Sequence, residues 1–285
     1  MPVTTVATIA ELRARLDADR AAGRSVGFVP TMGYLHDGHA SLMDAARGAC
    51  DVVVTSIFVN PLQFGPTEDL DAYPRDLSGD TALAERHGVD LMFVPATAEM
   101  YPTVIRTTVT GAGVSEPLEG RSRPTHFAGV ATVVAKLFAI VGPCRAFFGE
   151  KDFQQLAVIR QMVHDLSLPV DVVGCPTVRE PDGLAMSSRN AYLTLAERAA
   201  APVVHRALQA GSALVEAGER DAAVVRAAMA AVIEAEPLAE LDYAEVVDAR
   251  TLEVPAPLAG TLRLLAAVRF GSARLIDNVG VVVPS

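Results

Sequence analysis

The 285 residues are enough for one large α/β domain or for a main domain with a smaller companion, and 51% of them are apolar. A net charge of -10 argues against nucleic acid as the main partner, yet local cations can still build a pocket for a small anion. No apolar run reaches the roughly 18 residues that a bilayer span needs, because even the greasiest stretch, "GVATVVAKLFAIVG", is interrupted by Lys136. Glu11 stands early and no basic leader precedes it, so the expected location is the cytoplasm. Cys50, Cys144 and Cys175 lack CxxC spacing and sit beside strand-like runs, which points to buried reduced thiols.

In chain order, short apolar strands are predicted at Ser25 to Val29, Val52 to Val59, Leu91 to Val94, Arg145 to Phe148 and Val170 to Val173. Helical patterns separate them. Leu42, Ala45, Ala46 and Ala49 form one stripe, and Leu156, Ile159, Val163 and Leu166 form another. Ala128 to Val141 is apolar nearly all round and reads as a central buried helix, with Lys136 snorkelling from its flank. Such alternation predicts a parallel sheet covered by helices on both faces. Beyond about Thr177 the pattern changes to two helices, "LTLAERAAAPVVHRALQAGSALVEAG" and "DAAVVRAAMAAVIEA", and then to three strand-like runs. The expected organisation is a main domain over 1-177 and a smaller α+β domain over 178-285 that closes over the active site.

Four polar clusters fall at predicted strand ends, where open α/β sheets bind ligands: "PTMGYLHDGH", "NPLQFG", "GEKD" and "VREPDGLAMSSRN". Gly33 and Gly38 permit sharp turns or close backbone approach, and a helix opening near His39 aims its N–H groups at an anion. His36 and His39 suit phosphate oxygens there; a divalent metal and a merely solvated loop are the competing interpretations of H-x-x-H. Only Lys136 and Lys151 are lysine among 24 basic residues, and Lys151 follows Gly149 just before a helix, where its ammonium suits phosphate. Asp152 beside it suits a helix cap or a ribose. Met186 to Arg189 offer two hydroxyls and a guanidinium in a loop, a common way to close over a triphosphate. Gln63 and Gln155 can each donate and accept, which suits a ligand carrying hydroxyls and a carboxylate; Asn60, Phe58 and Phe64 bracket the first of them. His126 in "RPTHFAG" is a candidate lining residue.

Together "PTMGYLHDGH", "SIFVNPLQFGPTEDLDAYPRD", "RPTHFAGVATVVAKLF", "FFGEKDFQQL" and "VREPDGLAMSSRN" resemble the pantothenate synthetase family over about residues 25 to 193. The H-x-G-H element resembles that of the wider adenylyl-transferring Rossmann superfamily, while the NPxQF and GEKDxQQ elements narrow it. The resemblance implies a Rossmann-like doubly wound parallel sheet plus the smaller C-terminal α+β domain. It also implies a ligase that joins pantoate to β-alanine through pantoyl adenylate, with ATP as substrate, Mg2+ as cofactor, and AMP and pyrophosphate as products. Carried over by motif position, Met32 to His39 line the ATP site, including Met32, Gly33, His36 and His39; His39 is the proton donor and His36 serves the α-phosphate. Gly149, Lys151 and Asp152, with Met186, Ser187, Ser188 and Arg189, clasp ATP, and Val178 contacts the adenine. Gln63 and Gln155 hold pantoate. The metal ligands are unassigned, the acidic stretch around Asp76 and Asp80 being the one place noted. The resemblance further implies a homodimer; the alternative activity is a related nucleotidyltransferase with a nucleotide-linked product.

Overall fold

The computed structural model describes residues 2–65, 70 and 72–283, and the chain divides into two compact units. The first comprises Met1–Glu150 and Gln154–Pro176; the second comprises Thr177–Ser285 and the three residues Lys151–Phe153. That small segment is the departure from a simple division at 177, and it carries Lys151 and Asp152 into the second unit.

Up to Pro176 the elements are β1 (Thr4–Val6), α1 (Ile9–Ala21), β2 (Val26–Thr31), α2 (Asp37–Ala49), β3 (Val52–Ile57), α3 (Leu77–Arg86), β4 (Leu91–Phe93), the one-turn α4 (Thr97–Met100) and α5 (Glu119–Ser122), α6 (His126–Val141), β5 (Cys144–Gly149), α7 (Phe153–Asp165) and β6 (Val170–Cys175). Among the described residues the six strands form one parallel sheet in the order β1-β4-β3-β2-β5-β6. From β2 the chain winds one way through β3 and β4, then the other way to β5 and β6. The fold is therefore doubly wound, and its strand order reverses between β2 and β5.

Side chains alternate across these strands. Phe28, Val54, Phe93, Ala146 and Phe148 enter the layer of α1, α6 and α7, while Val29, Val53, Met92 and Phe147 enter the layer of α2 and α3. Because both faces are covered, the strands read as apolar runs without polar alternation. Thr8 caps α1 by accepting from the Glu11 amide, an interaction worth about 1 kcal/mol.

Two helical expectations in the first unit need correction. The buried face of α2 is Ala40, Leu42, Met43 and Ala46, with Ala49 exposed; small alanines left the phase open, and bulky Met43 sets it. The core face of α7 continues through Met162, whereas Leu166 lies past the last helical residue and is 53% exposed. Lys136 is half-buried on α6, as a stem packed on the helix flank requires, and its ammonium lies 5.4 Å from the Tyr101 ring centroid. β1 went unpredicted because three residues, TTV, carry no readable alternation.

The second unit contains α8 (Leu195–Ala200), α9 (Val203–Glu216), α10 (Ala222–Glu234), β7 (Glu240–Asp248), β8 (Thr261–Phe270) and β9 (Ala273–Val282). The expected first helix is two, because Pro202 starts α9 afresh. Among the described residues β7, β8 and β9 form an antiparallel sheet in that order, against which α9 and α10 bury Ala207, Leu208, Met229 and Ile233.

Candidate active site

The first cluster stands where β2 hands over to α2, beside the reversal of strand order. Gly33 (φ 85) and Tyr34 (φ 51) both occupy the left-handed region, open to glycine and strained for tyrosine. Asp80 on α3 holds this shape. Its buried carboxylate accepts hydrogen bonds from the Tyr34 amide at 3.0 Å and the Leu35 amide at 2.6 Å. A Cβ on Gly33 would come within 2.9 Å of both Asp80 Oδ2 and Ile57 Cγ2. Burial raises the Asp80 pKa, against the lowering pull of the two amides. Asp76 is used locally, capping α3 by accepting from the Gly79 amide at 3.0 Å.

His36 is the N-cap of α2. Its Nδ1 accepts from the Gly38 amide at 3.1 Å, while His39 Nδ1 accepts from the His36 amide at 3.3 Å, a reciprocal capping box made of two imidazoles. The rings lie 4.1 Å apart, tilted by 42°. A nitrogen that accepts a hydrogen bond carries no proton, so these bonds assign the N–H of each neutral ring to Nε2. A metal-ligating histidine would instead donate from its second nitrogen. Both rings are thus arranged as donors at a helix N-terminus, a setting for anions rather than for a metal ion.

The second cluster follows β3. Pro61–Gln63 form a single 3-10 turn capped by Asn60, whose Oδ1 accepts from the Leu62 amide at 3.3 Å and from the Tyr101 hydroxyl at 2.8 Å. Burial pushes the Tyr101 pKa up to about 12, so its hydroxyl stays protonated and donates. With Oδ1 so occupied, Asn60 Nδ2 donates to Gln63 Oε1 and to the Gly129 carbonyl, each at 3.2 Å. Gln63 therefore presents its amide N–H groups, and one faces Met32 Sδ at 2.9 Å. His126 Nδ1 lies 3.0 Å from the Gln63 carbonyl oxygen, which brings this candidate to the same turn. Close packing of α6 depends on Gly129, because a Cβ there would strike the Leu62 carbonyl and come within 2.6 Å of Gln63 Cα.

Gly149 ends β5, opposite Cys175 of β6, and Gln155 lies half-buried in the first turn of α7. The first unit thus places Met32, Gly33, His36, His39, Gln63, Gly149 and Gln155 at or just beyond the carboxyl ends of β2, β3 and β5. Residues 66–69 and 71 of the motif after Gln63 lie outside the described residues.

The remaining candidates belong to the second unit. Lys151 Nζ lies 3.4 Å from Asp152 Oδ1. The segment from Val178 to Arg189 doubles back through an Arg179–Ala185 bridge and a turn at Gly183 (φ 93), which brings the Met186 amide to the Val178 carbonyl at 3.0 Å. Ser187 caps the following 3-10 turn by accepting from the Arg189 amide, and Ser188 is buried. Lys151, Ala185, Ser187, Asn190 and Asp277 line one small pocket of this unit. Sequence reasoning missed the Tyr101 and Asn278 hydrogen bonds and the Asp80 tether, since each partner lies tens of residues from the motif it holds.

A doubly wound parallel sheet with paired histidine donors at a helix N-terminus is the architecture of α/β enzymes that handle phosphate. The chain belongs to the pantoate-beta-alanine ligase family, whose model matches residues 4–280. A pantothenate synthetase of Heliobacterium modesticaldum is 55% identical over 278 residues, covering 98% of this chain and 99% of that protein. One from Moorella thermoacetica is 56% identical over 272 residues, covering 95% and 96%. Among solved structures, the Thermus thermophilus pantothenate synthetase matches with a TM-score of 0.92 at 50% identity, over 97% of this chain and 99% of that one. A Francisella tularensis pantoate-beta-alanine ligase complexed with beta-gamma ATP and beta-alanine matches at 0.81 and 32% identity over 97% of both chains.

Proposed function

We propose that this protein joins pantoate to β-alanine in two steps. A pantoate carboxylate oxygen attacks the α-phosphorus of ATP, the bond to the bridging oxygen breaks, and pyrophosphate leaves. The β-alanine amine then attacks the acyl carbon of pantoyl adenylate, loses a proton and expels AMP. The observation that carries this proposal is a family match over nearly the whole chain, with the His36/His39, Gln63 and Gly149 motifs at or just beyond the carboxyl ends of β2, β3 and β5.

The residue roles follow from their chemistry. The first step brings a carboxylate against a phosphate, so donors fixed in advance stabilise the charge that builds at the α-phosphorus. His36 and His39 supply Nε2–H groups there, with His39 as the proton donor. Gly33 lets the backbone of Met32 to His39 approach the nucleotide. Gln63 presents N–H to the oxygens of pantoate, and Gln155 serves the same ligand. Gly149, Lys151 and Asp152, with Met186, Ser187, Ser188 and Arg189, grip ATP, and Val178 lies at the adenine. In this scheme the second unit closes over the substrates and keeps water from the adenylate.

Mg2+ supplies charge neutralisation on the phosphates when bound. Both oxygens of Asp80 accept loop amides, so this carboxylate is spent on structure. The donors present suit an ion that arrives on the nucleotide and keeps several waters, and no side-chain ligand is assigned to it. Cytoplasmic location and homodimeric assembly belong to the same proposal. Among the described residues no helix is long and apolar enough to cross a membrane.

Incubation with ATP, Mg2+, pantoate and β-alanine tests the proposal by product analysis. Pantothenate, AMP and pyrophosphate should accumulate in equal amounts. A nucleotide-linked product without the amide would favour the nucleotidyltransferase alternative instead.

A further inference from the structure

Lys151–Phe153 is a three-residue segment of the second unit flanked on both sides by chain of the first. Its anchors lie on the antiparallel sheet. Asn278 of β9, 3% exposed, donates from Nδ2 to the Lys151 carbonyl at 2.9 Å. Arg263 of β8 fixes which way that amide faces, because its Nε donates to Asn278 Oδ1 at 2.6 Å. The Arg263 guanidinium also lies 4.1 Å from the Phe153 ring centroid, so one arginine touches both the anchor and the far end of the segment. The neighbouring residue does a similar task for the other loop. Asp277 accepts two hydrogen bonds from Arg179, at 2.6 and 2.9 Å, directly after Val178. The Asn278 backbone N–H in turn donates to Asp277 Oδ1 at 2.7 Å.

We propose that Asn278, oriented by Arg263, is a positioning residue for Lys151 in the adenylation step. The inference rests on the phosphate role given to Lys151 above. A lysine side chain has many rotamers, so its ammonium reaches a fixed point on the nucleotide only if its backbone is held. Within the second unit the Asn278 hydrogen bond supplies that hold. The Asp277–Asn278 pair also keeps the lysine segment in register with the loop that begins at Val178.

The test measures the two half-reactions separately on the full chain. Single-turnover formation of pantoyl adenylate reports the first step, and conversion of chemically made pantoyl adenylate with β-alanine reports the second. Asn278→Ala should slow the first by on the order of tenfold to a hundredfold while changing the second by less than about threefold. In a Lys151→Ala background the same substitution should have little further effect on adenylation, because there is no ammonium left to misplace. If Asn278→Ala fails to fold, Arg263→Met, which leaves the asparagine in place but frees its orientation, should give the same selective loss. Unchanged adenylation, equal losses in both steps, or an undiminished effect without Lys151 would each overturn the proposal. A Lys151→Ala variant with full adenylation activity would instead contradict the phosphate role itself.

Discussion

At the scale of single residues, the site is a set of side chains whose polarity is fixed by partners elsewhere in the fold. Gln63 shows this best: Tyr101 donates to Asn60, which turns the Asn60 amide so that it donates to Gln63, which leaves Gln63 with N–H groups to offer. Tyr101→Phe keeps the ring under Lys136 but removes the first donor. It should cost about 1 kcal/mol of pantoate binding, a several-fold rise in pantoate KM, and leave ATP affinity unchanged. Steady-state kinetics with each substrate varied in turn checks this, and equal weakening of both would contradict the relay. The histidines, Gln63 and Lys151 were legible because their motifs are local. The donor state of His36 and His39 was not, since it depends on which ring nitrogen the backbone amides occupy.

At the scale of elements, strand positions could be read because fully covered parallel strands are short apolar runs between polar loops. Helix phase was harder. Alanine-rich α2 offered more than one plausible face, and the buried one became evident only with Met43 and Ala46 in the core. Gly129 marks the contact of α6 with the Gln63 turn, and nothing local in "HFAGVATVV" distinguishes it from a helix-weakening glycine. Gly129→Ala should destabilise the protein by about 1 to 3 kcal/mol through overpacking and raise pantoate KM more than ATP KM. Denaturant unfolding and kinetics measure the two effects; a larger loss for ATP would place the contact elsewhere.

In the second unit His205 of α9 is held below its ordinary pKa of 6.5, first by burial and then by Arg179, against the opposing pull of Asp277. The unfolded chain therefore binds more protons than the folded one as pH falls below that value. The neutral histidine's contribution is complete above about pH 6.5 and is lost as pH drops through the folded pKa. The native chain should lose more stability between about pH 7 and pH 5 than His205→Gln does, as read by unfolding midpoints across that range. An identical pH profile for both would show that His205 does not titrate differently on folding.

At the scale of the whole molecule, two compact units divide the candidate residues: the first carries His36, His39, Gln63 and Gln155, and the second carries Lys151 and the 178–189 loop. A motif-level resemblance gave this inventory from the sequence. It did not show that Lys151–Phe153 packs with residues more than a hundred positions later, since that depends on side chains brought together only by the folded sheet. The central claim is that pantoate is activated as an adenylate, and its most direct test is isotope transfer. Pantoate labelled with 18O in its carboxylate, incubated with ATP, Mg2+ and β-alanine, should pass one labelled oxygen into the phosphate of AMP. Label appearing in inorganic phosphate alongside ADP, or AMP formed without label, would contradict it.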